Sequence, residues 1–231
     1  MSTSRAPITP SRLRSDIYGL STQDDDPSPP LVISVLASLL ERAIARNYPR
    51  GGLREGAPAA AAAEDPRALA FDSYRVLDMS VQTFLERIFR YTGAGPAVFV
   101  VAYVYIDRLC RVNPGLRVTQ RNAHRLLVTT VMVASKFVED RNYRNSFFAK
   151  VGGLPTAELN RLEVDLLFLM GFKLHVSVSV FESYCRHLER EVGVGGGYQI
   201  ERALRFMCSG ETSTSKKEGQ RTELNQLARV L

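Results

Sequence analysis

The sequence predicts an all-α protein: five helices packed as one bundle between Ser80 and Met170, with a further helix on each flank. Three observations predict it. From Ser80 onward apolar residues recur at helical spacing, with neither an alternating strand pattern nor an internal repeat. Glycines and prolines punctuate that region where helices would start and stop. One segment, "AVFVVAYVYIDRLCRV" from Ala97 to Val112, is apolar on nearly every side, as the central helix of a bundle must be. A chain of 231 residues, 45% hydrophobic and 23% charged, is also long enough to bury one sizeable core.

Taken in order, residues 1–30 are rich in Ser, Thr, Pro and Asp and poor in large apolar residues, which predicts a disordered arm. Residues 31–48 hold "LVISVLASLLERAIARN", where Val32, Val35, Leu36, Leu39, Leu40 and Ala43 share one face of an amphipathic helix. Residues 49–71, with Gly, Pro and an alanine tract, predict a flexible insertion. In the first bundle helix, Val81 to Tyr91, Phe84, Leu85, Ile88 and Phe89 oppose Gln82, Glu86, Arg87 and Arg90 before Gly93 ends it. Pro96 starts the apolar helix, which stops at Asn113-Pro114-Gly115. Its β-branched content would suit a buried strand, but its length without a turn residue selects a helix. A third helix covers Arg121 to Asp140, and a short fourth covers Ser146 to Val151 before Gly152-Gly153. A fifth, capped by Thr156 after Pro155, runs to Met170. Residues 176–192 carry a last amphipathic helix, Val178 to Glu191, and 193–231 form a tail that opens on the loop "GVGGG".

Composition excludes several classes. Cys110, Cys185 and Cys208 are odd in number and lack paired spacing, which argues against a disulfide framework or a cysteine zinc site and fits a reducing compartment. Cys110 reads as a core thiol. There is no apolar signal region at the start. The longest apolar run, Ala97 to Ile106, is about half the ~20 residues of a membrane helix, so neither secretion nor membrane spanning is expected. The formal charge of +6 is scattered among 24 acids instead of forming one basic face, which predicts no nucleic-acid partner. His124, His175 and His187 are too widely spaced for a helical ligand pair, so no metal is expected. "GVGGGYQ" fails the dinucleotide fingerprint, with Tyr198 where its last glycine belongs, and no cofactor is expected.

Two charges sit oddly. Lys136 lies inside the apolar stretch "VTTVMVASKFVEDRNYRN", and burying an unpaired ammonium costs roughly several kcal/mol. Glu163 falls on the apolar stripe of Leu159, Leu162, Leu166, Leu167, Leu169 and Met170. Either the two form an internal salt bridge or snorkel at helix edges, or they make a polar spot on an apolar surface that docks a partner helix.

The segments "FVVAYVYIDRL", "VMVASKFVED" and "ELNRLEVDLLFLMGFKL", in this order, resemble the cyclin box. They are most similar to the P-type (U-type) cyclins of plants, themselves similar to the phosphate-signalling cyclins of yeast. The resemblance spans Asp72 to Leu188, with the five-helix box at residues 72–175. It implies a partner, a cyclin-dependent kinase whose regulatory helix is gripped by a lysine and a glutamate, here Lys136 and Glu163. The flanking apolar contacts would be Val133, Phe137, Leu167, Phe172 and Leu174. It implies a regulatory subunit without catalytic residues, in cell-cycle control or phosphate and nutrient signalling, in nucleus or cytoplasm.

The sequence departs from many cell-cycle cyclins at Met79-Ser80, where they have Met-Arg and where their substrate-docking patch lies. Their arginine pairs with the aspartate that is Asp107 here. Asp107 is therefore expected to be structural and to pair with Arg87 or Arg90. Too little chain follows Leu174 for a second box. A helical transcription-factor-like module is the alternative, and it would require the basic face that composition does not supply. An enzyme would need a phosphate loop, triad or metal constellation, none of which is present. "TPSR", from Thr9 to Arg12, fits the proline-directed pattern that this kinase family prefers, which makes Thr9 a candidate phosphorylation site.

Overall fold

The computed structural model describes residues 8–19, 28–47, 65–74, 76–140 and 143–193. Its helices are α1 (Pro10–Ile17), α2 (Leu31–Asn47), α3 (Pro66–Leu69), α4 (Val81–Thr92), α5 (Pro96–Val112), α6 (Ala123–Val138), α7 (Asn145–Gly152), α8 (Thr156–Leu169) and α9 (Val178–Gly193). No strand occurs among the described residues. The five predicted bundle helices are α4 to α8, flanked by α2 and α9.

The centre is α5 laid against α6, the most extensive helix pair. Every residue from Val98 to Ile106 is buried, as is every residue from Leu126 to Ser135. Two threonines are tolerated in that dry stretch because each hydroxyl bonds back to its own helix, Thr129 to Arg125 O and Thr130 to Leu126 O, both at 2.7 Å. Around the pair stand α4, α7 and α8, with α2 packed across α4 and α5.

Local chemistry sets the helix ends. Ser80 caps α4 by accepting the Thr83 amide at 3.1 Å, and Gly93 closes it at φ +61°, a conformation glycine adopts without a Cβ penalty. Pro96 occupies the first turn of α5, where its missing N–H costs nothing. Just before it, the Gly95 amide donates to Glu139 Oε1 at 2.9 Å, so the end of α6 caps the start of α5. Thr156 is not the cap of α8: Pro155 holds that position without a side-chain bond, and Thr156 is already helical.

The disordered arm expected at residues 1–30 contains a helix. Thr9 accepts the Arg12 amide at 3.4 Å, Pro10 starts α1, and Leu13 and Ile17, one turn apart, are 0% and 5% exposed. An eight-residue helix cannot stand alone in water, so packing against α9 and α2 supplies its stability. Arg14 grips Glu189 with two bonds of 2.8 and 2.6 Å, and the Asp16 carboxylate accepts the Val32 amide at 3.5 Å. Composition underestimates this segment because two apolar residues suffice when both are wholly used.

The expected insertion at 49–71 is also shorter at its C-terminal end. Residues 48–64 lie outside the described residues, but Asp65 caps α3 through the Arg67 amide at 2.9 Å and Phe71 is fully buried. The tail from 194 onward likewise lies outside them.

Candidate functional site on α6 and α8

Lys136 comes from the last turn of α6 and Glu163 from the middle of α8. They face each other across the packed pair: Lys136 Nζ donates to Glu163 Oε1 at 2.6 Å. The other carboxylate oxygen of Glu163 accepts from Asn145 Nδ2 at 2.6 Å, and Asn145 also donates to Asn160 Oδ1 at 2.8 Å. The side chains of Lys136 and Glu163 are 31% and 18% exposed, so the pair lies at the rim of the core, reachable from outside. The salt-bridge alternative of the sequence reading is thus what the free chain contains. Asn145, at the start of α7, went unnoticed because its sequence neighbours give it no helical stripe to interrupt.

An apron of apolar residues lies on the same helices and just after α8. Phe137 and Phe172 are more than half exposed, while Leu167 and Leu174 are partly buried. Val133, one turn before Lys136, is instead a core residue at 3% exposure, so it supports this surface from below and offers a partner nothing in the free chain. Two residues that sequence spacing did not single out complete the apron: Val164 and Phe168, one turn apart on α8 and both half exposed. Their signal was the breadth of "VDLLFLM", wider than one buried face requires. The Phe168 ring meets Phe172 edge-on at 5.2 Å, and the Arg67 guanidinium of α3 covers it at 4.7 Å.

Phe172 is held out by its backbone. It is the one non-glycine residue at positive φ among the described residues, at +59°, directly after Gly171 at +56°. Its amide donates to Leu167 O at 2.9 Å and closes the end of α8. A left-handed phenylalanine costs about 1–2 kcal/mol, an expense directed at exposing a ring.

Asp107 does not pair with Arg87 or Arg90. It accepts from Arg111, one turn on, with Nε at 3.0 Å, and from the Tyr184 hydroxyl of α9. Burial, and then the Asp107 charge, push the Tyr184 hydroxyl well above its ordinary pKa. Arg87 spends its Nε on Val151 O at 2.9 Å, and Arg90 is exposed. Asp107 therefore ties α9 to α5, and Ser80, in the place of the family's arginine, serves as a helix cap.

The histidines stand apart. His124 Nε2 lies 3.0 Å from Met79 O against the edge of Phe84, and burial lowers its pKa; burial lowers that of His187 too. Among the described residues no group of His, Cys, Asp and Glu could hold a metal ion. Cys185 is buried and its thiol is pushed up to about 11 by that burial, while Cys110 packs partly buried against the core. Cys208 and Tyr198 lie outside the described residues. No described helix is long and apolar enough to cross a membrane.

Comparison with known proteins gives one consistent result. The family model described as Cyclin matches residues 31–174. That match takes in α2 and the stretch after it, whereas the sequence reading began the resemblance at Asp72. Among curated proteins, the chain is 55% identical over 226 residues to Cyclin-U2-1 of Arabidopsis thaliana, covering 97% of each chain. It is 56% identical over 228 residues to Cyclin-U2-2 of the same plant, covering 97% of this chain and 96% of that one. It is 58% identical over 211 residues to Cyclin-P2-1 of Oryza sativa subsp. japonica, covering 89% of this chain and 94% of that one.

Proposed function

The chain belongs to the cyclin family, and from that premise we propose that it binds a cyclin-dependent protein kinase through the apron on α6 and α8 and activates it by position alone. The observation that carries this reading is the exposure of Phe137 next to Lys136, of Val164 and Phe168 on α8 and of Phe172 just beyond it, on the two helices that hold an ion pair only partly covered. Exposed apolar residues in one contiguous patch mark an interaction surface. A charged pair on the same helices supplies what apolar contact lacks, a fixed orientation for the partner.

The mechanism involves no chemistry on this chain. A protein kinase works only when the lysine of its third strand is paired with the glutamate of its regulatory helix. Apolar area on the outer side of that helix holds it inward. Lys136 then offers its ammonium to the carbonyls at the helix end, and Glu163 accepts from backbone amides, with Asn145 keeping the carboxylate in place. The assembly would act in cell-cycle control or phosphate and nutrient signalling, in nucleus or cytoplasm. The direct test is affinity purification of the full chain from plant cells with mass spectrometry of bound kinases. A cyclin-dependent kinase should be recovered with the wild type and lost with Phe168→Ala/Phe172→Ala. Equal recovery with both would refute the assigned surface.

A further inference from the structure

We propose that Thr9 is a phosphorylation site and that its phosphate tightens α1 as a latch on α9. Thr9 and Ser28 are the chain's two Ser/Thr-Pro dipeptides, and of these Thr9 alone has a basic residue three positions on, Arg12. Its side chain is exposed and sits at the helix cap in extended backbone, φ −105° and ψ 155°. The cap is weak: its one backbone bond, from the Arg12 amide, is 3.4 Å long, and the Ser11 hydroxyl shares the same oxygen at 3.3 Å.

Two charges of α1, those of Arg12 and Asp16, run against its dipole. Its first turn holds no acid, Arg12 lies toward its positive end and its one acid, Asp16, near the negative end, while Arg14 stands in the last turn, where a cation suits the dipole. A phosphate on Thr9 would place about −1.5 to −2 charges, with acceptor oxygens, beside the first-turn amides of Ser11 and Arg12, the latter held by only the long cap bond. Nothing else in the helix corrects the arrangement so directly. The gain passes to the whole latch, because Leu13, Ile17 and the Arg14–Glu189 pair dock only while α1 is helical.

In the transfer itself, Thr9 Oγ1 attacks the γ-phosphorus of ATP held by a proline-directed kinase. The new O–P bond forms as the bond to the β,γ-bridging oxygen breaks, ADP leaves with that electron pair, and the hydroxyl proton passes to the kinase's catalytic carboxylate. Reading Pro10 and Arg12 in a substrate cleft requires extended chain, about 10 Å from Thr9 to Arg12, whereas the helix holds them about 5 Å apart. The first turn must therefore unwind before transfer and rewinds with the phosphate in place. The modification thus samples the open latch and favours the closed one.

The class of kinase is that of the proposed partner, so its identity rests on that reading; the site does not. The test adds an active, purified proline-directed kinase and ATP in trans to the full chain, so its result is independent of docking at Lys136 and Glu163. Mass spectrometry should place the phosphate on Thr9, and Arg14→Ala, which loosens the latch, should raise the initial rate several-fold. Amide hydrogen exchange across Leu13 to Ile17 should slow at least threefold after modification, and Thr9→Ala treated identically should show no slowing. An unmodified Thr9 in both wild type and Arg14→Ala would overturn the site. Phosphate on Thr9 with exchange unchanged or faster would overturn the latch.

Discussion

Lys136 Nζ and Glu163 Oε1 lie 2.6 Å apart across α6 and α8, with Asn145 holding the second oxygen of the carboxylate at 2.6 Å. Residues proposed for a partner are therefore already partners of one another. Docking has to exchange one set of bonds for another. A partly exposed pair contributes about 0–1 kcal/mol to stability. Lys136→Ala should accordingly lower the melting temperature by no more than about 2–4 °C. In the complex the same change strips one side of a covered charged contact, at roughly 3–5 kcal/mol, or on the order of a hundredfold or more in affinity. The swap Lys136→Glu with Glu163→Lys should recover the melting temperature in a thermal scan and leave kinase binding lost, because the kinase's donors and acceptors keep their signs. Binding recovered along with stability would mean that the pair serves the bundle alone.

Phe172 offers a cleaner separation of binding from folding. Asparagine tolerates positive φ better than phenylalanine, so Phe172→Asn relieves about 1 kcal/mol of backbone cost while giving up an edge contact with Phe168 of about 0.5–1.5 kcal/mol. These nearly cancel. Denaturant unfolding should place the variant within about 1 kcal/mol of the wild type, whereas kinase affinity measured by titration should fall at least tenfold, about 1.4 kcal/mol. A variant that binds normally would remove the ring from the proposed surface.

Asp107 predicts the behaviour of α9. Asp107→Ala leaves the half-buried Tyr184 hydroxyl without its acceptor, at about 1–3 kcal/mol, while the exposed Arg111 guanidinium can turn to water. The loss should be local first, with faster hydrogen exchange in α9 than in α5 or α6. Tyr184→Phe removes donor and penalty together and should cost less than Asp107→Ala. The reverse order would contradict the network as described.

How far the sequence carries can be judged from these same residues. The bundle was legible because α4, α5, α6 and α8 state their faces by periodicity and their ends by Gly93, Pro96, Asn113 and Pro155. Lys136 and Glu163 were legible as anomalies in those stripes. Asp107's partner was half legible: Arg111 is one helical turn away, an ordinary i,i+4 pair, but Tyr184 is 77 residues distant and tertiary packing alone brings it there. The helix α1 was illegible for a related reason. Its surroundings, the faces of α9 and α2, are invisible to a local composition that reads Ser, Pro and Asp as disorder. Val133 shows the opposite error, a residue assigned to the surface by resemblance that the free fold keeps beneath it.

The half-buried histidines give the chain a predictable acid response. Burial lowers the pKa values of His124 and His187 below 6.5, so the unfolded chain binds protons there more readily than the folded chain. Their stabilising effect is complete above the unfolded pKa and is lost as pH falls from about 6.5 through the folded values. Each group contributes a slope of up to about 1.4 kcal/mol per pH unit in that window. The melting temperature should fall between pH 7.5 and 5.5, and His124→Gln should flatten the fall relative to its own value at pH 7.5. An identical profile would locate the acid sensitivity elsewhere.

The last prediction follows from α1 being folded. Leu13 is fully buried, and truncating such a leucine inside a rigid core costs roughly 2–5 kcal/mol. α1, however, joins the bundle from one end and can undock as a unit, so the cost of any change within it cannot exceed the free energy of its docking. Leu13→Ala should therefore lower the melting temperature by several degrees, and deletion of residues 1–19 should lower it by a similar amount. Introducing Leu13→Ala and Ile17→Ala together should add little beyond either. A true disordered arm would give no shift for any of them, and a helix integral to the core would give losses that simply add. Differential scanning calorimetry of the four variants, the two single changes, the double change and the deletion, distinguishes the cases, with a plateau as the expected outcome and additivity or silence as the outcomes that reject a separable, docked α1.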